Sequence, residues 1–538
     1  MPAHHPPIHC FSSVAELLPF TYQPMDAVWS WIAALPPTGD LPPSLPLATS
    51  PSGRNILLSA HRSTGVDASD EDELLLTFSV SLRGFHPSNS TRPLWLSEPI
   101  PLSASKPQLF LLLQLLNEVI FLAPSRPRFH LPKLDSEKIL FALNQCPDSP
   151  SLLSLALLCR LFWLCSGEPP ADAGELFFKA FDAALKVALD CRRSLRAFLL
   201  IAGVDREERF MRSIGYMLAK WCILRELQGL RREPLRTMAY AAEVYGLWVM
   251  RGYAPVSTMA RSGGFAAAGG TPEAFLTYAL AHQQLEAVVQ LDYSVCGRDP
   301  RFLKVVARID NIRLHVTSLG FGQTEEWEIV GGERHFPSRV RVKVGPEAGA
   351  GYAVGPSLGR STGNPERVLE STRKVKGVFG FHKGSPSPAV RAKARWSERA
   401  RRRSWRWEQE VEGSAAVFDG VLCNATTGAE VAGWRMSPEE GTRGGEVGPR
   451  IEMRRRYSGA ERAFSKVGGV VVAGDELPEG VSWRVGREME GKTTQWRLGG
   501  RVWVSYFPNE VRSGYFETRC VEWEEEVDVL FFPSACGC

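Results

Sequence analysis

The sequence predicts an α+β protein: a helical layer or bundle followed by a large antiparallel β domain, sandwich or barrel-like. Three observations carry this expectation. Between residues 107 and 288 apolar residues recur every three or four positions, the stripe of amphipathic helices. From residue 289 the recurrence drops to two, the alternation of half-buried strands. After that switch no helical segments separate the strands, which excludes a doubly wound parallel sheet.

At 538 residues the chain is long for a single core. It divides into a Pro-rich, largely irregular N-terminus (1–48), a β-strand segment (49–106), a helical domain (107–288) and an antiparallel β domain (289–535). Ten prolines in the first 48 residues oppose regular structure, although MDAVWSWIAAL (25–35) has the pattern of one or two docked helical turns. ILLSA (56–60) and ELLLTFSVSLRG (73–84) are rich in strand formers, separated by the acidic loop DASDEDE (67–73).

In the helical domain, residues 175–200 align Phe177, Phe181, Leu185, Ala188, Leu195 and Leu199 on one face. Asp205 three residues before Glu208 reads as a capping box for the next helix, with Phe210, Ile214, Met217, Trp221 and Leu224 as its stripe. A third helix is expected from Leu235 to Met250. A fourth is expected from Thr271-Pro272-Glu273 through LAHQQLEAV, so the helix-to-strand switch falls near Val288. Beyond it VVQLDYSV, a GRDP turn and FLKVVARIDNIRLHVTSL form a hairpin with a bulged second strand. SWRWEQEVEG, AAVFDGVLC, VSWRVG, RVWVSYF and YFETRCVEWEEEV continue the β character.

Composition narrows the function classes. Sixty-three bases against 59 acids leave a net charge of +4, so attraction to a polyanion has to be local. Eleven cysteines without a CxxC pair exclude a zinc ribbon, and their spacing fits free thiols in a reducing compartment. The N-terminus has neither a signal peptide nor a transit-peptide pattern. SLLSLALLCRLFWLC (151–165) is too short to span a bilayer and carries Arg160, which points to a buried helix. The expectation is a protein without a transmembrane segment, cytoplasmic or nuclear.

Residues 391–407, RAKARWSERARRRSWRW, concentrate eight Lys/Arg and three Trp in seventeen positions. As an anion-binding site this tract offers Arg399, Arg401, Arg402, Arg403 and Arg406 to phosphates, with Trp396 or Trp405 to stack or to bury. The other reading makes Trp405 and Trp407 core residues of a strand and pairs the arginines with the acidic strand EWEEEVDV (522–529). The sequence favours that internal pairing; a nuclear localisation signal is a third option. Two overlapping Gly-x-Ser-x-Gly matches at 355–363 raise a serine hydrolase at Ser361, without an assignable His and acid. His4, His5, His9 and Cys10 lie in a Pro-rich tail without packed support for a metal. The terminal Cys536 and Cys538 have the form of a lipid anchor, and Ser385 and Ser387 precede prolines beside the tract as phosphorylation candidates.

The phrases YALAHQQLEAVVQLDYSV, RHFPSRVRVKVGPE, SLGRSTGNPER, WRWEQEVEGSAAVFDGVLCNATTGAEVA and EMEGKTTQWRLGGRVWVSYFPNEVRSGYFETRCVEW resemble a land-plant protein family, over about residues 25–530. That family carries no assigned activity, cofactor or catalytic residue. The resemblance therefore implies a plant source and a soluble intracellular protein, and brings no site residues. Lacking a coherent catalytic or metal constellation, the sequence reads first as a non-enzymatic interaction or scaffold protein without a cofactor, a protein partner coming first. The alternatives are a polyanion-binding module for nucleic acid or anionic phospholipid, and the hydrolase.

Overall fold

The computed structural model describes residues 21–22, 25–36, 39–42, 44–64, 74–85, 93–102, 106–124, 134–166, 171–227, 237–258, 281–319, 334–359, 367–379, 390–402, 405–423, 470–473, 477, 479–507 and 518–533. They form two compact units: Met1–Met217 with 268–277, and 218–267 with 278–538. The architecture is α+β, with antiparallel pairing in every sheet.

The first unit opens with β1 (Thr21–Tyr22), α1 (Met25–Ala33) and β2 (Leu45–Thr49), then β3 (Asn55–Thr64), β4 (Leu74–Arg83), β5 (Trp95–Leu96) and β6 (Ile100–Pro101). Their sheet runs β1-β2-β3-β4-β5, with β6 also on β4. The docked turns expected at 25–35 are α1, which buries Val28 and Ile32. Strand β2 begins inside the stretch expected to be irregular.

Helices follow: α2 (Pro107–Phe121), α3 (Ser136–Asn144), α4 (Ser149–Ser166), α5 (Ala171–Ala188), α6 (Arg192–Ala202) and α7 (Val204–Leu227). Helix α4 is the apolar segment whose Arg160 argued against a membrane span. Its guanidinium meets Glu118 of α2 at 2.6 Å, and Glu118 also accepts from Trp95 Nε1 (2.9 Å) and Gln114 Nε2 (2.7 Å). The charge is therefore neutralised inside the unit. No helix among the described residues is long and apolar enough to cross a membrane.

The helix expected over 175–200 is two helices. Asp148, 45 residues upstream, accepts from the backbone N–H of Arg193 (2.7 Å) and Ser194 (3.0 Å), which gives α6 a start of its own. All six residues named for the apolar face are nevertheless buried. Asp205 is not a cap: α7 begins at Val204, with Gly203 O accepting from Arg206 and Glu207 N, so Asp205 lies within the first turn.

The second unit corrects the helix-to-strand boundary. Residues 235–250 hold β7 (Met238–Val244) and β8 (Leu247–Thr258), not a helix. Tyr245 and Gly246, with φ of 53° and 78°, make the two-residue turn between them, the double positive φ of a type I′ hairpin. Met238–Ala242 are buried on both faces, and a strand covered on both sides has no alternation to read. Expected helix 271–288 yields likewise to β9 (Ala281–Cys296), whose Leu285, Ala287, Val289 and Leu291 alternate into the core. Residues 271–280 lie outside the described residues.

Strand β9 pairs with β10 (Phe302–Ser318) in the expected hairpin, with the register shift between Ile309 and Asn311 marking the bulge. Then come β11 (Arg334–Pro346), β12 (Ala353–Ser357), β13 (Arg367–Phe379), β14 (Val390–Arg402), β15 (Trp405–Glu412), β16 (Ala415–Leu422), β17 (Val470–Ala473), β18 (Val481–Gly486), β19 (Thr493–Phe507) and β20 (Thr518–Leu530). One sheet runs β12-β18-β10-β9-β8-β7, with β17 also on β10, and a second runs β15-β16-β11-β19-β20. Strands β13 and β14 form a two-stranded ribbon.

The two larger sheets share one core. Trp248 and Trp483 enter it from the first sheet, Trp407 and Trp496 from the second, all four fully buried. Trp496 meets Trp483 edge-on at 4.9 Å and Trp248 at 5.9 Å, and Trp248 stacks on Tyr293 at 4.2 Å. Trp483 Nε1 also donates to the carbonyl of Ser414 at 2.8 Å. Truncating a buried tryptophan costs about 3–5 kcal/mol. Trp496→Ala should therefore lower the urea midpoint of the β unit by that amount while far-UV circular dichroism of the helices persists.

Cys146, Cys159, Cys165, Cys191, Cys222, Cys423 and Cys520 are free thiols, whereas Cys296 is disulfide-bonded, which corrects the expectation of free thiols throughout. Scattered spacing carries no pairing information, so the sequence had no means to single out Cys296. Burial pushes the Cys159 and Cys165 thiols up to about 12 and raises Cys191 as well. A thiol held protonated reacts slowly. In native protein, mass spectrometry should find exposed Cys520 alkylated well before Cys159, Cys165 and Cys191; equal rates would refute the burial argument.

Candidate anion-binding ribbon

The arginine tract is divided between two sheets. Positions 391–402 lie on β14, and Trp405 and Arg406 open β15 in the five-stranded sheet. Arg403 lies outside the described residues. Trp405 is 3% exposed and stacks toward Trp407 at 6.3 Å. It is a core residue, which removes it as a stacking platform for a ligand. Trp407 in turn lies against Gly420, where an added Cβ would fall 2.6 Å from the indole, so β16 requires a glycine there. Arg406 is exposed, with its Nε 3.2 Å from Glu408.

Strand β14 pairs along its whole length with β13, from Arg367 opposite Arg402 to Phe379 opposite Val390. Antiparallel partners share a face and successive residues alternate, so the register sorts the ribbon. One face holds the positions of Lys374, Lys376, Arg391, Lys393, Arg395, Arg399 and Arg401, seven bases, against one acid, Glu370. The other face holds Leu369, Val375, Gly377, Phe379, Val390, Ala392, Ala394, Trp396 and Ala400, with Arg367 and Arg402 at the open end and Arg373, Ser371 and Glu398 between. The candidates Arg399 and Arg401 thus share a face, and Trp396 and Arg402 sit on the opposite one. Lys374 and Lys376 escaped the sequence reading because β13 is an unremarkable segment until its register with β14 is known.

The acidic strand β20 does not belong to the ribbon's sheet; its neighbour is β19. Val521, Trp523, Val527 and Val529 of β20 face the core while Glu522 and Glu524 face out. Arg501 meets Glu522 at 2.6 Å and Arg497 meets Glu524 at 3.4 Å. The ladder continues across the sheet: Arg341 with Glu410 and Lys343 with Glu412, each at 2.8 Å. The Lys343 hydrogen bond holds the Glu412 carboxyl below the usual carboxylate range. Buried Asp419 takes a two-pronged grip from Arg339 and a further contact from Arg341 Nε at 3.5 Å, and both Arg339 and Arg501 lie over the Trp503 ring. This sheet supplies bases to its own acids, which is the role the sequence reading gave to Arg401, Arg402 and Arg403.

The first Gly-x-Ser-x-Gly match, 355–359, lies on β12, an edge strand antiparallel to β18, and not on a strand-to-helix elbow. Gly359 N donates to Gln409 Oε1 at 2.9 Å. Ser361, Ser385, Ser387, Cys536, Cys538 and the His4, His5, His9, Cys10 cluster lie outside the described residues, among which no His/Cys/Asp/Glu group has the spacing of a metal site.

No protein-family model matches the chain, and no curated protein matches it. Solved structures similar to parts of it include the membrane-inserted form of the Clostridium perfringens NetB toxin (8% identity, 55% of this chain and 94% of that one, TM-score 0.16). Clostridium perfringens delta-toxin (9%, 54% and 94%, TM-score 0.17) and a pore-forming protein (8%, 55% and 89%, TM-score 0.13) are others. At these TM-scores the likeness carries no argument about this chain.

Removing one side of a buried ion pair costs about 3–5 kcal/mol, because the remaining charge is stranded. Arg339→Met combined with Arg341→Met leaves Asp419 in that state and should destabilise the β unit by that amount in urea titration. Adding Asp419→Asn to the pair should recover much of the loss.

Proposed function

We propose that this chain is a non-enzymatic binding protein whose β unit is a two-sheet sandwich bearing a polyanion-binding ribbon, β13–β14. The observation that supports the reading is the register, which gathers seven Lys/Arg positions against one acid on one face. A run of bases in a sequence is often a solvated stripe; seven on one face of a two-stranded ribbon make a local field despite a net charge of only +4. The ladder within the five-stranded sheet supports it further, since Glu522 and Glu524 are met by arginines of β19. The ligand chemistry is phosphate or another dense anion, held by guanidinium forks. A cytoplasmic or nuclear setting goes with this reading; seven free thiols support it, Cys296 being the exception.

Heparin retention tests the reading. Arg395→Gln, Arg399→Gln and Arg401→Gln together remove three bases from the cationic face. Each lost phosphate contact should lower the slope of log affinity against log salt by about 0.9, so the slope drops by roughly 3. Arg367→Gln with Arg402→Gln, on the other face, should leave the slope unchanged. Equal retention of the triple variant and the wild type, with an unchanged thermal melt, would overturn the proposal.

A further inference from the structure

We infer that the polyanion is the surface of an acidic phospholipid bilayer, and that the ribbon lies on it with its apolar face in the lipid and its bases among the phosphates. The inference rests on the polyanion-binding reading and names the class of anion.

The two faces decide between lipid and nucleic acid. A single-strand nucleic-acid platform needs aromatic rings on the same side as its bases, because stacked nucleobases and gripped phosphates belong to one bound strand. Here Trp396 and Phe379, the ribbon's aromatic residues, fall on the face opposite the seven Lys/Arg positions. That separation suits a bilayer. An amphipathic element lying in the interface sinks its apolar side about 5–10 Å to the acyl boundary and keeps its cations at headgroup level. Each Lys or Arg near an anionic surface is worth a modest attraction, and several on one face add.

The separation sharpens along the ribbon. At its open end Arg367 faces Arg402, and β14 leads within three positions to the buried Trp405. Toward the other end the last three rungs of the apolar face, Val375–Ala394, Gly377–Ala392 and Phe379–Val390, carry no charge. The matching stretch of the opposite face carries Lys374, Arg395, Lys376, Lys393 and Arg391. The end of the ribbon farther from the anchoring Trp405 is therefore the more amphipathic. Thirteen paired residues give the ribbon a length of about 43 Å, enough to lay that end on a surface while its root stays with the β unit.

Full-length protein is floated with vesicles of phosphatidylcholine, with or without phosphatidylserine at about a third of the lipid, and run in parallel on heparin and on single-stranded RNA. Two variants are compared: Lys376→Gln, Lys393→Gln, Arg395→Gln on the cationic face, and Val375→Ser, Phe379→Ser, Val390→Ser on the apolar face. Wild type should float only with the acidic vesicles. The cationic variant should lose both vesicles and heparin. The apolar variant should keep its heparin retention and lose at least about tenfold in vesicle partitioning, with the thermal melt of the β unit unchanged. Floating of the apolar variant like wild type, or binding to RNA without binding to vesicles, would overturn the membrane assignment and leave the polyanion reading standing. Wild type that binds neither heparin nor acidic vesicles would overturn both.

Discussion

The aromatic contact among Trp248, Trp483 and Trp496 is the point on which the β unit depends. It joins side chains from both large sheets, and the offset and edge-on geometries are those that favour aromatic quadrupoles, at about 0.5–1.5 kcal/mol each beyond buried area. Sheets that meet through rings this large are held apart at one spacing, so smaller alternating residues such as Leu285, Ala287, Val502 and Val504 fill what is left. The Trp483–Ser414 hydrogen bond adds direction to that contact. Everything outside the core, including the ribbon's root at Trp405, is positioned relative to this seam.

Charge on the five-stranded sheet follows a rule of its own. Strands β11 and β19 contribute bases, and β15, β16 and β20 contribute acids, so the outward face alternates in blocks across the sheet. Arg341 and Arg501 are register partners, which alone would repel. Glu410, Asp419 and Glu522 flank them and turn the pair into part of a network. The ribbon has no such composition. One sheet is electrostatically closed and the other is open, although both are drawn from the same basic stretch of sequence.

Much of this was legible in the sequence wherever one face of an element meets water. The β9–β10 hairpin with its bulge, the apolar face of α5 and the alternation in β20 announce themselves because polar and apolar positions separate cleanly. The reading failed where that contrast vanishes. MAYAAEV is buried on both sides and rich in helix formers, so propensity and period both pointed to a helix, and only pairing with β8 overrides them. Tyr245 hid the turn, because a positive φ at a tyrosine has no sequence mark. The candidate site was half legible. The density of arginine was plain, but which bases share a face depends on β13, and which tryptophan is core depends on where β14 ends and β15 begins.

The outer edges of β13 and β14 have no strand partner among the described residues. An unpaired edge is a template on which another chain can add a strand. Seven like charges on one face, none of which titrates near neutrality, hold a second copy away at low ionic strength. Their reach is the Debye length, about 8 Å at physiological salt and about 3 Å at 1 M. Concentrated salt, the usual means of keeping a basic protein in solution, thus removes the barrier that keeps this one monodisperse, and dilute buffer preserves it.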